Sequence, residues 1–192
     1  KAQHSGFGIE RTQSWVAVVG DSYNVHHYTF NLSVSDTSVV VAGSVVCDAL
    51  TTSNMDSFWV ELDSNVVVDS AKINGQSIAP YRLGDVLYFP LNATLTPGTA
   101  IHSEIFYTGA QSGSGFFSAV SNQIIQTYKI PVTWTLSEPF GAIQWWPCKQ
   151  DLNDKIDSID FFATCSLPAK VGSNGLLQGV DTLPGNFARY RW

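Results

Sequence analysis

The chain has 192 residues, 44% of them hydrophobic and only 14% charged, with a formal net charge of −6. That length and apolar content give one large domain a core of its own and exclude intrinsic disorder. Ten Lys and Arg against sixteen Asp and Glu, with no basic run, exclude nucleic acid and anionic membrane as natural partners, and no stretch of about twenty apolar residues offers a membrane span.

The start, Lys1-Ala2-Gln3-His4-Ser5, reads as that of a mature chain freed from a signal, so a secreted or periplasmic location is expected. Residues 1–24 are mixed and polar and read as a lead-in to a β domain over 25–192. Tyr28, Phe30, Leu32 and Val34 alternate with Thr29, Asn31, Ser33 and Ser35, the period of a half-buried strand. Asp36-Thr37-Ser38 reads as a turn. Val39-Val40-Val41 and Ser44-Val45-Val46-Cys47 then read as two paired strands, with Gly43 marking a bulge or bend.

Phe58, Val60 and Leu62 alternate with Trp59 and Glu61 in a further strand. Val66-Val67-Val68 and Ala71-Lys72-Ile73 follow, and Asn74-Gly75 is a tight-turn dipeptide. Leu87-Tyr88-Phe89, the turn Thr96-Pro97-Gly98 and the stretch from Ile101 to Tyr107 continue the series. Gly109 to Gly115 reads as a mobile loop. Trp134, Trp145 and Trp146 then cluster with Pro131, Pro139 and Pro147. Ile159 to Leu167 is a late strand, Asn174-Gly175 a turn, and Tyr190-Arg191-Trp192 another strand. Short strands at near-regular spacing, with no sustained helical period, predict an all-β sandwich or saddle-shaped sheet.

The chemistry-bearing residues are sparse. His26 and His27 are adjacent and point to opposite faces of a strand, His4 and His102 stand alone, and no HExxH pair exists. Cys47, Cys148 and Cys165 lack CxxC spacing and read as buried thiols, with one disulfide and an odd thiol as the alternative. No Gly-x-Ser-x-Gly elbow and no phosphate-cradling Gly loop is present. Asp151, Asp154, Asp157 and Asp160 recur at i+3 without the glycine of a calcium loop, and read as a solvated strand edge or loop. The tryptophans and tyrosines allow a sugar-stacking platform, although core packing is their more frequent fate. The run Thr135-Leu136-Ser137-Glu138-Pro139-Phe140-Gly141-Ala142 before Trp145-Trp146-Pro147-Cys148 sets one carboxylate in an aromatic loop, a candidate seat for a cationic group.

At this segment the sequence resembles the M1 (gluzincin) zinc aminopeptidases. That family carries T-Q-x-E/Q-P-x-x-A-R-x-x-x-P-C, matched by Thr135, Glu138-Pro139, Ala142 and Pro147-Cys148, with Asp151, Asp154-Lys155 and Ser173-Asn174-Gly175 following in order. Upstream, Val25-His26-His27-Tyr28 into Leu32 and Gly43-Ser44-Val45 resemble the family's opening Y-x-V-x-H-Y-x-L-x-L and G-x-V strands. The resemblance covers roughly residues 22–192. It implies the N-terminal β domain of such an enzyme, packed on a downstream catalytic domain that supplies zinc and acts on peptide. In this chain it implies neither catalytic residue nor metal ligand nor cofactor. It assigns Glu138 to the substrate's free α-amine. Leu136 takes the place of a family Gln that contacts the first substrate side chain, and Ile143 that of the usual Arg; both are departures. An inter-domain face is expected within residues 134–152. A catalytically dead homologue acting in protein interaction and a carbohydrate-binding module are the alternatives.

Overall fold

The computed structural model describes residues 21–110, 119–137 and 140–192. Most of the Gly/Ser-rich loop, and Glu138 with Pro139, lie outside the described residues.

Among the described residues the fold is thirteen strands and one short 3-10 turn. The strands are β1 (Tyr23–Ser35), β2 (Ser38–Thr51), β3 (Met55–Glu61), β4 (Val66–Ile73), β5 (Gln76–Ser77), β6 (Tyr81–Leu83) and β7 (Val86–Leu95). They continue with β8 (Ala100–Gly109), β9 (Val120–Ile125), β10 (Ile130–Thr135), the turn Ala142–Gln144, β11 (Ser158–Ser166), β12 (Gly179–Leu183) and β13 (Phe187–Arg191). An eight-stranded sheet runs in the order β12-β13-β11-β1-β2-β8-β4-β5, a three-stranded sheet is β3-β7-β6, and β9 and β10 form a ribbon. The all-β architecture is as the sequence pattern predicts.

β1 is the centre of the large sheet. It pairs antiparallel with β2 and parallel with β11, so the late strand at Ser158 returns to lie beside the first. Its alternation has the predicted consequence: Tyr28, Phe30 and Leu32 are buried, while Asn31 and Ser33 face solvent. The three-stranded sheet covers the buried face. Phe58, Val60 and Leu62 enter the core from β3 and its end, and Phe89 from β7. Tyr23 lies 5.1 Å, ring to ring, from Phe58 and 5.2 Å from Trp59. Burial of this many large apolar side chains, at about 25 cal/mol per Å² of apolar surface, is the main stabilising term. Trp59 is also buried. Its indole N–H donates to Ser22 Oγ at 3.1 Å, and Tyr23 OH donates to its carbonyl at 2.8 Å.

Two local expectations need correction. The runs 39–41 and 44–47 are not a hairpin: they form one continuous strand, β2, paired with β1 on one side and β8 on the other. Gly43 permits this. Its φ of +148° is open to glycine, and a Cβ built there would sit 2.0 Å from the Asn31 carbonyl oxygen. The residue therefore lets two backbones approach within a strand, where a bulge or bend between two strands was expected. Likewise 66–68 and 71–73 are one strand, β4, with its register shift between Val68 and Ser70. Asn74-Gly75 is a tight turn, both residues having positive φ (49° and 78°), and it joins β4 to β5.

Gly43→Ala is predicted to destabilise the chain by more than about 2 kcal/mol, the scale of a strained backbone plus a steric clash. Urea unfolding of the two proteins side by side measures it; an unchanged midpoint would refute the close-approach account.

Candidate functional site

The segment after β10 is held to the body of the domain mainly through its backbone. Leu136 N donates to Ala119 O at 2.9 Å, and Gly141 N to Ser137 O at 2.9 Å. Asp63 N donates to Ile143 O at 2.8 Å. Cys148 and Glu61 exchange both backbone hydrogen bonds, at 2.7 and 3.0 Å. Two side-chain contacts add to these: Trp145 Nε1 donates to Ser137 Oγ at 2.9 Å, and Ala119 N donates to Gln144 Oε1 at 3.2 Å. Trp146 packs edge-on against Tyr28 (5.0 Å) and Phe30 (4.7 Å). The aromatic cluster read from the sequence is thus bolted to β1 and β3.

The strongest polar feature of the segment is Lys149. Its side chain is only 2% exposed, and its ammonium donates to Asp154 Oδ2 (2.6 Å), Tyr23 O (2.6 Å) and Asp21 Oδ1 (2.7 Å). It also lies 5.0 Å from the Tyr23 ring centroid. Burial alone would push this ammonium down; the hydrogen bonds it donates to Asp154 and Asp21 outweigh it and hold the group above its ordinary range. Asp154, 5% exposed, spends its remaining lone pairs on Val25 N at 3.2 and 3.3 Å.

Within the aspartate run Asp154 alone departs from the solvated strand edge or loop expected of it; Asp157 and Asp160 are exposed and Asp151 sits in a loop. Asp154 is the buried counter-ion of Lys149, Asp157 Oδ2 meets His26 Nδ1 at 2.9 Å, and Asp160 Oδ2 lies 3.5 Å from His27 Nε2. Asp151 Oδ1 accepts from Asn153 N at 2.9 Å, closing a local turn. His102 pairs with Asp48 at 2.6 Å. Among the described residues no cluster of three or more His, Cys, Asp or Glu is set to hold a metal ion. His26, His27 and His102 are each committed to a carboxylate, so the described residues do not fit a zinc site.

Cys47, Cys148 and Cys165 are buried free thiols. Burial pushes Cys47 up to about 12 and holds Cys148 well above the ordinary thiol range, so neither is a ready nucleophile. Glu61 is partly buried, and burial first, then Asp85 and Asp151, raises its carboxyl above the usual range, although Gln150 N donates to it at 2.9 Å.

Beside the segment lies a groove of about 1380 Å³. Phe30 and Leu32 of β1, Phe161 of β11, Val132 and Trp134 of β10, and Leu136 line it. Leu136 and Ser137, the residues just before Glu138, both reach this groove. Trp134, Trp145 and Trp146 of the 134–152 segment are half-buried, whereas Leu152 of that segment, Ile159 and Leu176 at the groove, and Ile124, Tyr128, Ile130 and Val132 of the β9–β10 ribbon are exposed. Among the described residues no helix is long and apolar enough to cross a membrane. Sequence reasoning missed Lys149. Its one signal is a lysine closing the apolar run Trp145-Trp146-Pro147-Cys148, with an acid five residues on.

Lys149→Met leaves Asp154 charged and buried without its partner, so it is predicted to destabilise the domain by about 3–5 kcal/mol, measured by denaturant unfolding at neutral pH. Glu61 has the opposite sign. A carboxyl whose folded value is raised keeps its proton longer when folded, so it lowers stability as pH rises above about 4.3. Glu61→Gln is therefore predicted to raise the thermal midpoint at pH 7, with the gain shrinking toward pH 3; a loss at pH 7 would contradict this.

A scan against protein-family models finds no match to the sequence, and a search of curated proteins finds none either. The structure does find relatives. A two-domain M1 zinc metallopeptidase variant bound to L-arginine superposes over 89% of this chain with a TM-score of 0.78 at 20% identity. The M1 zinc metallopeptidase from Deinococcus radiodurans superposes over 89% with a TM-score of 0.75 at 20% identity. Native yeast LTA4 hydrolase superposes over 88% with a TM-score of 0.67 at 17% identity. The chain spans 39%, 38% and 26% of the lengths of these three structures. Its fold is that of an M1 metallopeptidase N-terminal β domain.

Proposed function

We propose that this chain is the N-terminal substrate-gating and docking domain of a secreted or periplasmic zinc aminopeptidase of the M1 type, non-catalytic by itself. The observation that carries the reading is the M1 fold over 89% of this chain, matched to only 39% of a two-domain enzyme. The ordered run Thr135, Glu138-Pro139, Ala142 and Pro147-Cys148 supports it. The partner is the chain's own downstream catalytic domain. Zinc and the residues that activate its bound water belong to that domain, and no bond-breaking step is assigned to residues here.

In this reading Glu138 accepts hydrogen bonds from the peptide's α-ammonium, so that a free N-terminus is selected and placed. A charged acceptor suits an ammonium better than any neutral group, because the charge-assisted bond strengthens as water leaves. Leu136 offers an apolar contact to the first side chain where the family carries a Gln. The tryptophans favour this reading over a sugar platform: Trp59 is buried, and Trp145 and Trp146 pack against the core.

Replacing Glu138 by Ala in the intact polypeptide is predicted to lower kcat/KM for an aminoacyl 4-nitroanilide roughly 10- to 150-fold, the worth of one charged hydrogen bond. Unchanged kcat/KM would remove Glu138 from the amine site. An intact polypeptide without any aminopeptidase activity would overturn the peptidase reading in favour of protein interaction.

A further inference from the structure

We infer that the β9–β10 ribbon, together with the groove it borders, is the surface that the downstream domain covers; the inference rests on the two-domain reading above. The ribbon stands apart in the fold. Its two strands pair with each other and belong to neither of the larger sheets. Its base is tied to the turn between β1 and β2: Asn122 Nδ2 donates to Asp36 O at 2.6 Å, and Thr133 Oγ1 to Ser38 O at 3.2 Å. Its tip closes on itself, with Tyr128 N and Lys129 N both donating to Ile125 O, at 3.1 and 2.7 Å.

The composition of the ribbon does not suit a solvated hairpin. Open strand edges are normally guarded by charge, and from 120 to 135 this ribbon carries one charged residue, Lys129. Ile124, Tyr128 and Ile130 are 55%, 73% and 54% exposed. Alternation spreads the apolar groups over both faces: Ile130 and Val132 share the face of Trp134 and line the groove, while Ile124, paired with Pro131, lies on the other. A two-stranded ribbon is marginal in water by itself. One that is apolar on both faces and continuous with a groove of about 1380 Å³ has the character of an element inserted into a partner.

The identity of that partner follows from two observations. The fold of this chain matches 39% of a two-domain structure, so the greater part of that structure lies outside the match. Trp192 lines the same groove as Val132 and Trp134, so in the two-domain reading the polypeptide runs on beside the ribbon. A tethered domain meets the ribbon at a high effective concentration, and a patch of modest area then suffices; a second copy lacks that tether. The face expected within 134–152 is therefore extended backwards. Trp145 and Trp146 already pack on the core, whereas the ribbon tip stays exposed.

The experiment labels introduced cysteines in the intact polypeptide with a charged maleimide, each variant bearing Ile124→Cys, Tyr128→Cys or Leu83→Cys. Leu83, 63% exposed on β6, is the reference. Cys47, Cys148 and Cys165 are buried, so this domain adds little background. Both ribbon variants are expected to label at least about tenfold more slowly than the Leu83 variant, because labelling of a covered group waits on local opening. In concentrated urea all three are expected to label alike. The slow rates are expected at every protein concentration, with sedimentation showing a monomer.

Ribbon positions that label as fast as Leu83→Cys would overturn the inference. Protection confined to concentrations at which the polypeptide dimerises would overturn it as well, in favour of a second copy. If the intact polypeptide has aminopeptidase activity and the ribbon still labels fast, the docking surface fails alone. If nothing folded follows residue 192 in the intact polypeptide, the two-domain reading fails and takes the surface with it.

Discussion

The ammonium of Lys149, closed in by Asp154, Asp21 and the Tyr23 carbonyl, is the interaction on which the arrangement of this domain turns. It joins parts of the chain that no strand pairing joins. Asp21 and Tyr23 sit at the entry to β1, Lys149 ends the aromatic segment, and Asp154 lies in the loop leading to β11. A charge this deeply buried is costly unless every hydrogen is used, and here all three ammonium hydrogens have an acceptor. Such a network stabilises little relative to an apolar replacement. Its value is specificity, because any other packing of these three segments leaves a charge stranded.

The parallel pairing of β1 with β11 depends on that closure. Parallel neighbours need a long connection, and the one from β1 to β11 runs through β2 to β10 before returning. Val25 N gives its hydrogen to Asp154, and Asp157 N gives its own to the His26 carbonyl at 2.9 Å, so the returning chain is docked before the ladder starts at His27 and Ser158. The His26–Asp157 and His27–Asp160 contacts continue the seam. These pairs are half-exposed, so they contribute direction more than energy.

Much of the fold was legible in the sequence, for a physical reason. Alternation in 28–35, β-branched runs and Asn74-Gly75 are local signals, and local signals fix strand identity and tight turns. What failed was the pairing of 39–41 with 44–47, since a glycine that bends the chain between two strands and one that admits a neighbouring backbone look the same until the neighbour is known. The buried role of Asp154 escaped for a related reason. Spacing told nothing of its partner on β1, Val25, which lies more than a hundred residues away. The candidate site was legible only as a segment: its composition marked 134–148, but the contacts that hold it run to Ala119, Glu61, Asp63 and Tyr28. Glu138 itself lies outside the described residues, and its role rests on the resemblance.

The same contacts explain how an M1 fold persists where sequence comparison finds nothing. Four of the ties on the segment are main chain to main chain: Leu136 to Ala119, Gly141 to Ser137, Ile143 to Asp63 and Cys148 to Glu61. A carbonyl accepts a hydrogen bond whatever side chain it carries. Ile143, where the family has Arg, keeps its place because its oxygen makes the tie while its side chain is 9% exposed. Identity near 20% is thus compatible with a retained scaffold so long as the backbone approach distances are kept. The side chains that do matter there are those that reach across: Trp145 to Ser137, Gln144 to Ala119 and Lys149 to its acids. There the arrangement depends on side-chain chemistry as well as on the backbone.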